Sequence, residues 1–500
     1  MTYIYSGRIS LEEYDTLDII KILVAGSELD LLKYFINPYN KSIRESKPRK
    51  EININSKIIT PLLLRDSRYD ISSSDNNTNI NKSEVPKADK PSDSIINKIW
   101  CEVAVPVLWK IPGRIPLTKK AGSIIFNVIL SHLSEDSRDI LKKQGIDYLF
   151  TEAYRPPSFN YIIFWRHLDL QLLENMIKLR NVKESNINII INELSKLFIN
   201  KNTKFLSLFI PYSFKYQLHS ISWAEQCFSS LKSLHYFDND DISGSLTLIE
   251  NQNNLNEIQI DCCAFAQSNI IEKSLIKKAD TIQHLQTNWD PEDEFLSYFV
   301  NLSSLKIGDP YWYGYPNNKT NWCHLEKVSL PGLKVLIANI DSHQNLDRMI
   351  KIINGHHLHE ITLCHNGLVS DANYHRRLIR AIYQNCPNLR YLSMPMMELN
   401  FPEFERLLIN CQKLNGLIFK NEIFFKYKSL FEILIKSSPI SLYKFKIYFN
   451  RKFGPKFKLL KSFFNNWKDR HPMMLQINRV NFDDNREVEK LEELVKKYEV

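Results

Sequence analysis

Residues 358–366 read LHEITLCHN and place Leu358, Ile361, Leu363 and Asn366 in the spacing Leu-x-x-Ile-x-Leu-x-x-Asn. The spacing has a mechanical reading. Ile361 and Leu363 alternate on one face of a short strand and point inward, and Leu358 packs just ahead of them. Asn366 stands where the chain turns away and its side chain can satisfy the exposed backbone. A single unit of this kind cannot bury its apolar face alone, so it must stack on copies of itself.

Looser copies do run through the C-terminal half of the chain. Their first apolar residues are Phe205, Leu231, Leu255, Ile282, Leu302, Leu333, Leu358, Leu389, Leu414 and Leu442. The steps between them are 26, 24, 27, 20, 31, 25, 31, 25 and 28 residues, and average about 26. LRYLSM (389–394), LNGLIF (414–419) and LYKFKIYFN (442–450) are the clearest copies after the first, with helical returns between them such as NYHRRLIRAIYQNCPN and FPEFERLLINCQK. Cys386 and Cys411 each follow an Asn just before a strand, one copy apart.

Period and spacing resemble those of leucine-rich repeats. The fold expected is α/β: a repeat solenoid with a parallel sheet and helices on its outer side, over 203–452, preceded by an all-α segment. Residues 115–202 are expected to form a helical connector, since KKAGSIIFNVILSHL, SEDSRDILKKQ, FNYIIFWRHLDLQLLENMIKL and NINIIINELSKLFIN carry apolar residues at helical spacing. Residues 453–500 are expected to be a C-terminal helical cap, with Phe457, Leu460, Phe464 and Trp467 on one stripe of FGPKFKLLKSFFNNWKDRH.

The N-terminal stretches are of another kind. YIYSGRISLEEYDTLDIIKILVAGSELDL (3–31), within a fragment spanning 1–36, resembles the end of a BTB domain through its Tyr-x-Tyr-x-Gly segment. Residues 37–94 read as a disordered linker, rich in Asn, Ser and charge and poor in apolar residues. SIINKIWCEVAVPVLWKIP, within 95–114, resembles the second half of an F-box through Ile96, Trp100, Val105, Pro106, Leu108 and Trp109. The Leu-Pro start of that module's first helix is replaced here by KSEVPKADKPSDS (82–94).

From 95 to 498 the chain resembles a large fungal family of F-box and leucine-rich-repeat proteins. The resemblance implies a non-catalytic substrate receptor of an SCF-type cullin–RING ubiquitin ligase. A Skp-type adaptor, and cullin through it, would meet those six F-box residues, and a target protein would lie on the repeats. Tryptophan and tyrosine dominate interaction hot spots, so Tyr311, Trp312, Tyr313, Tyr315 and Trp322, clustered in an insertion, are the target-binding candidates. A stand-alone interaction scaffold and a solenoid for RNA or an acidic partner are the alternatives.

Composition narrows the class further. The chain is 44% hydrophobic and 24% charged with a net charge of +9, ordinary for a globular protein and no argument for nucleic acid. No apolar run is long enough to span a membrane, and the N-terminus lacks the basic-then-apolar order of a secretory signal. Eight cysteines without Cys-x-x-Cys pairs suit buried, reduced thiols and a cytoplasmic or nuclear setting. No Walker loop, nucleophile elbow or His-Glu-x-x-His motif occurs, so no enzyme and no cofactor is expected. The His356, His357 and His359 group reads as surface histidines, and DNDDISG (238–244) as a turn. The stretch 426–461 holds ten Lys or Arg against the single acid Glu432, with Phe449, Phe453 and Phe457 interleaved, and reads as a solvated basic cap or an acidic-partner surface.

Overall fold

A computed structural model describes residues 105–480 except 114–116, 151–156, 158, 213, 215–217, 238–241, 262–267, 290, 292–293, 309–327, 340–345, 354, 365–371, 422–425, 451–454, 456, 468–469 and 471–472. The BTB-like fragment, the linker, Ile96 and Trp100 lie outside the described residues, as do Asn366, Phe453 and the aromatic insertion. The chain divides into two compact units, Met1–Asn127 and Val128–Val500.

In the first unit, residues 105–109 are helical and Trp109 is buried. Helix α1 (Lys119–Ser131) begins in this unit and runs across the division. In the second unit α2 spans Glu135–Lys143, and Ser134 caps it by accepting from the Ser137 amide at 3.2 Å. Arg138 turns back from α2 and donates to the carbonyls of Leu130, Ser131 and Leu133, which the end of α1 leaves open.

The stretch 159–179, expected to be one helix, is not. It forms a 3₁₀ turn (Tyr161–Phe164), strand β1 (His167–Asp169) and only then helix α3 (Leu170–Lys178). The reason is local: the Asp169 side chain accepts from the Leu172 amide at 2.9 Å, so the helix starts there, and the residues before it are free to pair with the next strand. Helix α4 (Glu184–Phe198) follows and packs against α2 and α3, with Ser137 donating to Glu193 at 2.8 Å.

The repeats come next. The strands are β2 (Ser207–Ile210), β3 (Ser233–Phe237), β4 (Glu257–Asp261), β5 (His284–Thr287), β6 (Ser304–Ile307), β7 (Val335–Asn339), β8 (Glu360–Cys364), β9 (Tyr391–Met394), β10 (Gly416–Asn421), β11 (Lys444–Asn450) and β12 (Met474–Val480). Between them run α5 (Ala224–Phe228), α6 (Ile242–Glu250), α7 (Ser268–Ile276), α8 (Leu346–Ile352), α9 (Ala372–Asn385), α10 (Phe401–Asn410), α11 (Tyr427–Ser437) and α12 (Phe457–Trp467). All twelve strands form one sheet in sequence order, β1 to β12, and every neighbouring pair is parallel. Helices α8 to α12 pack on one another in the same order. This is an α/β solenoid of the leucine-rich-repeat type, and the sheet extends one strand beyond each end of 203–452.

Register shows why the spacing of LHEITLCHN recurs. Each of the ten first apolar residues lies two positions ahead of a strand, and all ten are buried. The second residue of each strand from Leu168 to Phe445 is also apolar and buried, so Leu168, Leu208, Leu234, Ile258, Leu285, Leu305, Leu336, Ile361, Leu392, Leu417 and Phe445 form one continuous row in the core. At ten successive junctions two amides, from the first strand residue and the one before it, donate to the same carbonyl of the preceding repeat. The amides of Lys232 and Ser233, for example, both reach the Leu206 carbonyl.

The returns are filled differently. The twenty-residue step from His284 to Ser304 holds a 3₁₀ turn (Phe295–Tyr298), while the 31-residue step from Glu360 to Tyr391 holds the 14-residue helix α9. At the C-terminal end α12 closes the core with Leu460, Phe463, Phe464 and Trp467 buried; Phe463 stacks on Phe431 at 4.5 Å between ring centres. Residues 474–480, expected to belong to a helical cap, form β12 instead, because they continue the same ladder from β11.

Candidate protein-binding face

Alternation within the strands leaves the sheet with a second face. From β1 to β11, first and third strand residues are half-buried or exposed, apart from His235, Val335, Ser393 and Gly416, while second and fourth residues are buried. The character of this open face changes along the array.

At β1–β5 it carries acids, histidines and one aromatic group. Phe209 lies 5.8 Å from His235 and 5.6 Å from Phe237, and His235 Nε2 is 3.5 Å from Glu257 Oε1. The hydrogen bond from His235, more than any other cause, holds the Glu257 carboxyl below its ordinary range. Burial pushes the Asp169 carboxyl up, against the Leu172 and Gln171 amides that favour its charged form. Gln259 donates to Asp261 at 3.0 Å. These groups are engaged with one another.

At β7–β10 the face is mostly uncharged, with Ile337, Thr362, Tyr391 and Ile418 half-buried. At β11 it becomes basic. Lys444 and Lys446 stand on alternate residues, Lys444 Nζ 5.7 Å from the Tyr391 ring centre and Lys446 Nζ 5.1 Å from that of Tyr448. The structure thus sorts the basic stretch 426–461. Lys426, Lys428 and Lys436 pair with Glu398, Glu432 and Glu405 at 3.0, 3.8 and 3.0 Å. Lys458 and Lys461 are exposed on α12, and of the described lysines in this stretch only Lys444 and Lys446 reach the open face.

The six F-box-like residues are placed in part. Val105, Pro106 and Leu108 are half-buried, and Trp109 is only 3% exposed, an interior residue; their neighbour Val107 is 41% exposed. Tyr311, Trp312, Tyr313, Tyr315 and Trp322 lie outside the described residues. Tyr391, Ile418, Lys444 and Lys446 were missed one by one. Their signal was parity: each is an odd-numbered strand residue beside an inward apolar one.

His356 and His357 are exposed on a 3₁₀ turn (Gly355–His357) and His359 precedes β8, so the three share no strand face. Among the described residues no three His, Cys, Asp or Glu side chains gather closely enough to hold a metal ion, and no helix is long and apolar enough to cross a membrane.

No protein-family model and no curated protein matches the chain. Among solved structures it is similar to the leucine-rich repeat-containing protein LegL7 of Legionella pneumophila, at 13% identity and a TM-score of 0.34, over 53% of this chain and 99% of that one. It is also similar to a Bacteroides fragilis protein, at 13% identity and a TM-score of 0.26, over 46% of this chain and 66% of that one.

Proposed function

We propose that this chain is a non-catalytic scaffold that binds another protein on the open face of its repeat sheet. One observation carries the reading: from β1 to β11 the sheet seals its second and fourth strand residues into the core and presents alternate residues, including Phe209, Ile337, Tyr391, Ile418 and Tyr448, to solvent. Half-exposed aromatic and aliphatic groups among polar ones, held on rigid strands, suit a protein interface. Affinity purification of the full chain with mass spectrometry tests it. A true partner is lost with Thr362→Arg on the open face and kept with Lys458→Glu on α12; partners indifferent to the first substitution end the reading.

The finer proposal makes the scaffold a substrate receptor for a cullin–RING ubiquitin ligase, with other subunits transferring ubiquitin. Its support is the F-box-like segment, helical over 105–109, with Val107 on its exposed side. The receptor would then act by proximity, raising the local concentration of the target near the conjugating enzyme. Recovery of a Skp-type adaptor and a cullin with the full chain, abolished by Val107→Asp, is the expected result. Recovery of open-face partners without either would leave a stand-alone scaffold, which the burial of Trp109 favours.

A further inference from the structure

We infer that the β9–β11 end of the open face is a docking strip for an extended acidic polypeptide segment, with carboxylates on alternate residues. The inference rests on the scaffold reading above and names the kind of partner.

Four observations meet here. Lys444 and Lys446 project from the same face of β11, about 7 Å apart as alternate strand residues are, which matches alternate residues of an extended ligand. Neither has a carboxylate partner among the described residues, unlike Lys426, Lys428 and Lys436. Both heads are held over aromatic rings, which orients them without neutralising them. Glycine at 416 makes the arrangement possible: a β-carbon there would stand 2.7 Å from Tyr391 Cδ1 and 3.4 Å from Lys444 Cβ, so its absence lets the ring and the lysine stem close over β10.

The surroundings complete the specificity. The nearest acid on the row of Lys444 is Glu360, three strands away through Tyr391 and Gly416, or about 14 Å at ordinary strand spacing. That exceeds the Debye length of about 8 Å at physiological salt, so the two lysines keep their field. Ile418 and Met474, the latter 53% exposed and paired in register with Lys444, flank them with apolar surface. Two cations, each over a tyrosine ring and flanked by Ile418 and Met474, suit a peptide with two carboxylates better than a nucleic-acid backbone, which is tracked by runs of cations.

Fluorescence anisotropy with the full chain tests the strip. The probes are a short labelled peptide of alternating Glu and Tyr, its Lys-for-Glu counterpart, and a labelled single-stranded RNA of equal charge. The Glu–Tyr peptide should bind and its Lys counterpart should not. Lys444→Glu/Lys446→Glu should weaken binding at least about tenfold, and Lys458→Glu/Lys461→Glu should leave it unchanged. Should the reversed pair unfold the chain, Lys444→Gln/Lys446→Gln removes the charges more gently and must still weaken binding. The inference is overturned if the Glu–Tyr peptide fails to bind, if either strip variant binds as well as the parent, if the α12 variant loses as much, or if the RNA binds more tightly. A cellular partner lost with Thr362→Arg yet kept by the strip variants also overturns it while the scaffold reading stands.

Discussion

Cys386 Sγ occupies the space that any side chain on Gly355 would need: a β-carbon at 355 would stand 2.6 Å from that sulfur and 2.7 Å from the Asn385 carbonyl oxygen. The two residues hold equivalent places, each three positions ahead of a buried repeat leucine, Leu358 and Leu389. A small residue in one repeat thus makes room for a larger one in the next. Gly355→Ala should therefore cost about 1–3 kcal/mol by overpacking. Urea unfolding should show that Cys386→Ala in the same chain recovers only part of this, because the Asn385 carbonyl stays in the way.

Thiol chemistry follows from the same packing. Cys227, Cys364, Cys386 and Cys411 are all buried. Burial, helped by the neighbouring Cys411, pushes the Cys386 thiol far up, and burial alone takes Cys411 to about 12. Neither forms a thiolate near neutral pH, and the thiolate is the reactive species. A native chain treated with a thiol reagent and mapped by peptide mass should label 386 and 411 only as fast as the repeats open, and readily once denatured.

Adjacent residues of β8 should behave oppositely. Ile361 is wholly buried between Leu336 and Leu392 in the core row, so Ile361→Ala should cost about 2–5 kcal/mol. Thr362 lies on the open face, and Thr362→Ala should change stability by no more than about 0.5 kcal/mol. Equal melting losses would contradict the assignment of the two faces.

The helix layer holds a buried charge whose partners set its pH response. Glu403 on α10 accepts from Arg380 (2.7 Å), Tyr383 (2.9 Å) and Arg406 (3.2 Å). Burial pushes its carboxyl up, and these three donors outweigh burial and hold it below the ordinary carboxylate range. The stabilisation is therefore present above the unfolded-state value, about 4.3 for Glu, and is lost as pH falls through the lower folded value. Glu403→Gln should lower the urea midpoint at neutral pH, and the gap from the parent should shrink as acid protonates the parent's own carboxyl.

Much of this architecture is legible from residue types alone, for a physical reason. An inward strand position admits no polar group without a partner, so Leu358, Ile361 and Leu363 recur wherever a strand begins, and the buried row can be found by counting. Strand β1 escaped because His167–Asp169 sits inside a run of apolar residues whose spacing also fits a helix; only the cap at Asp169 separates the two. Strand β12 is hard to see because MLQINRV follows the stripe of α12 and reads as its continuation. Parity marks single open-face residues such as Lys444 as outward-facing and says nothing more of them. Their meaning depends on Tyr391 and Gly416, far away in sequence and brought alongside only by register.

The shared carbonyl at each junction also bears on how such a chain can change over time. Two amides read one oxygen, so an extra residue between a repeat's first apolar residue and its strand would put both out of reach and turn every following side chain to the wrong face. Beyond the strand no such check exists, and there the steps between paired strands already range from 20 to 40 residues. Insertions and deletions should accordingly gather on the return side, while the strand side keeps its count.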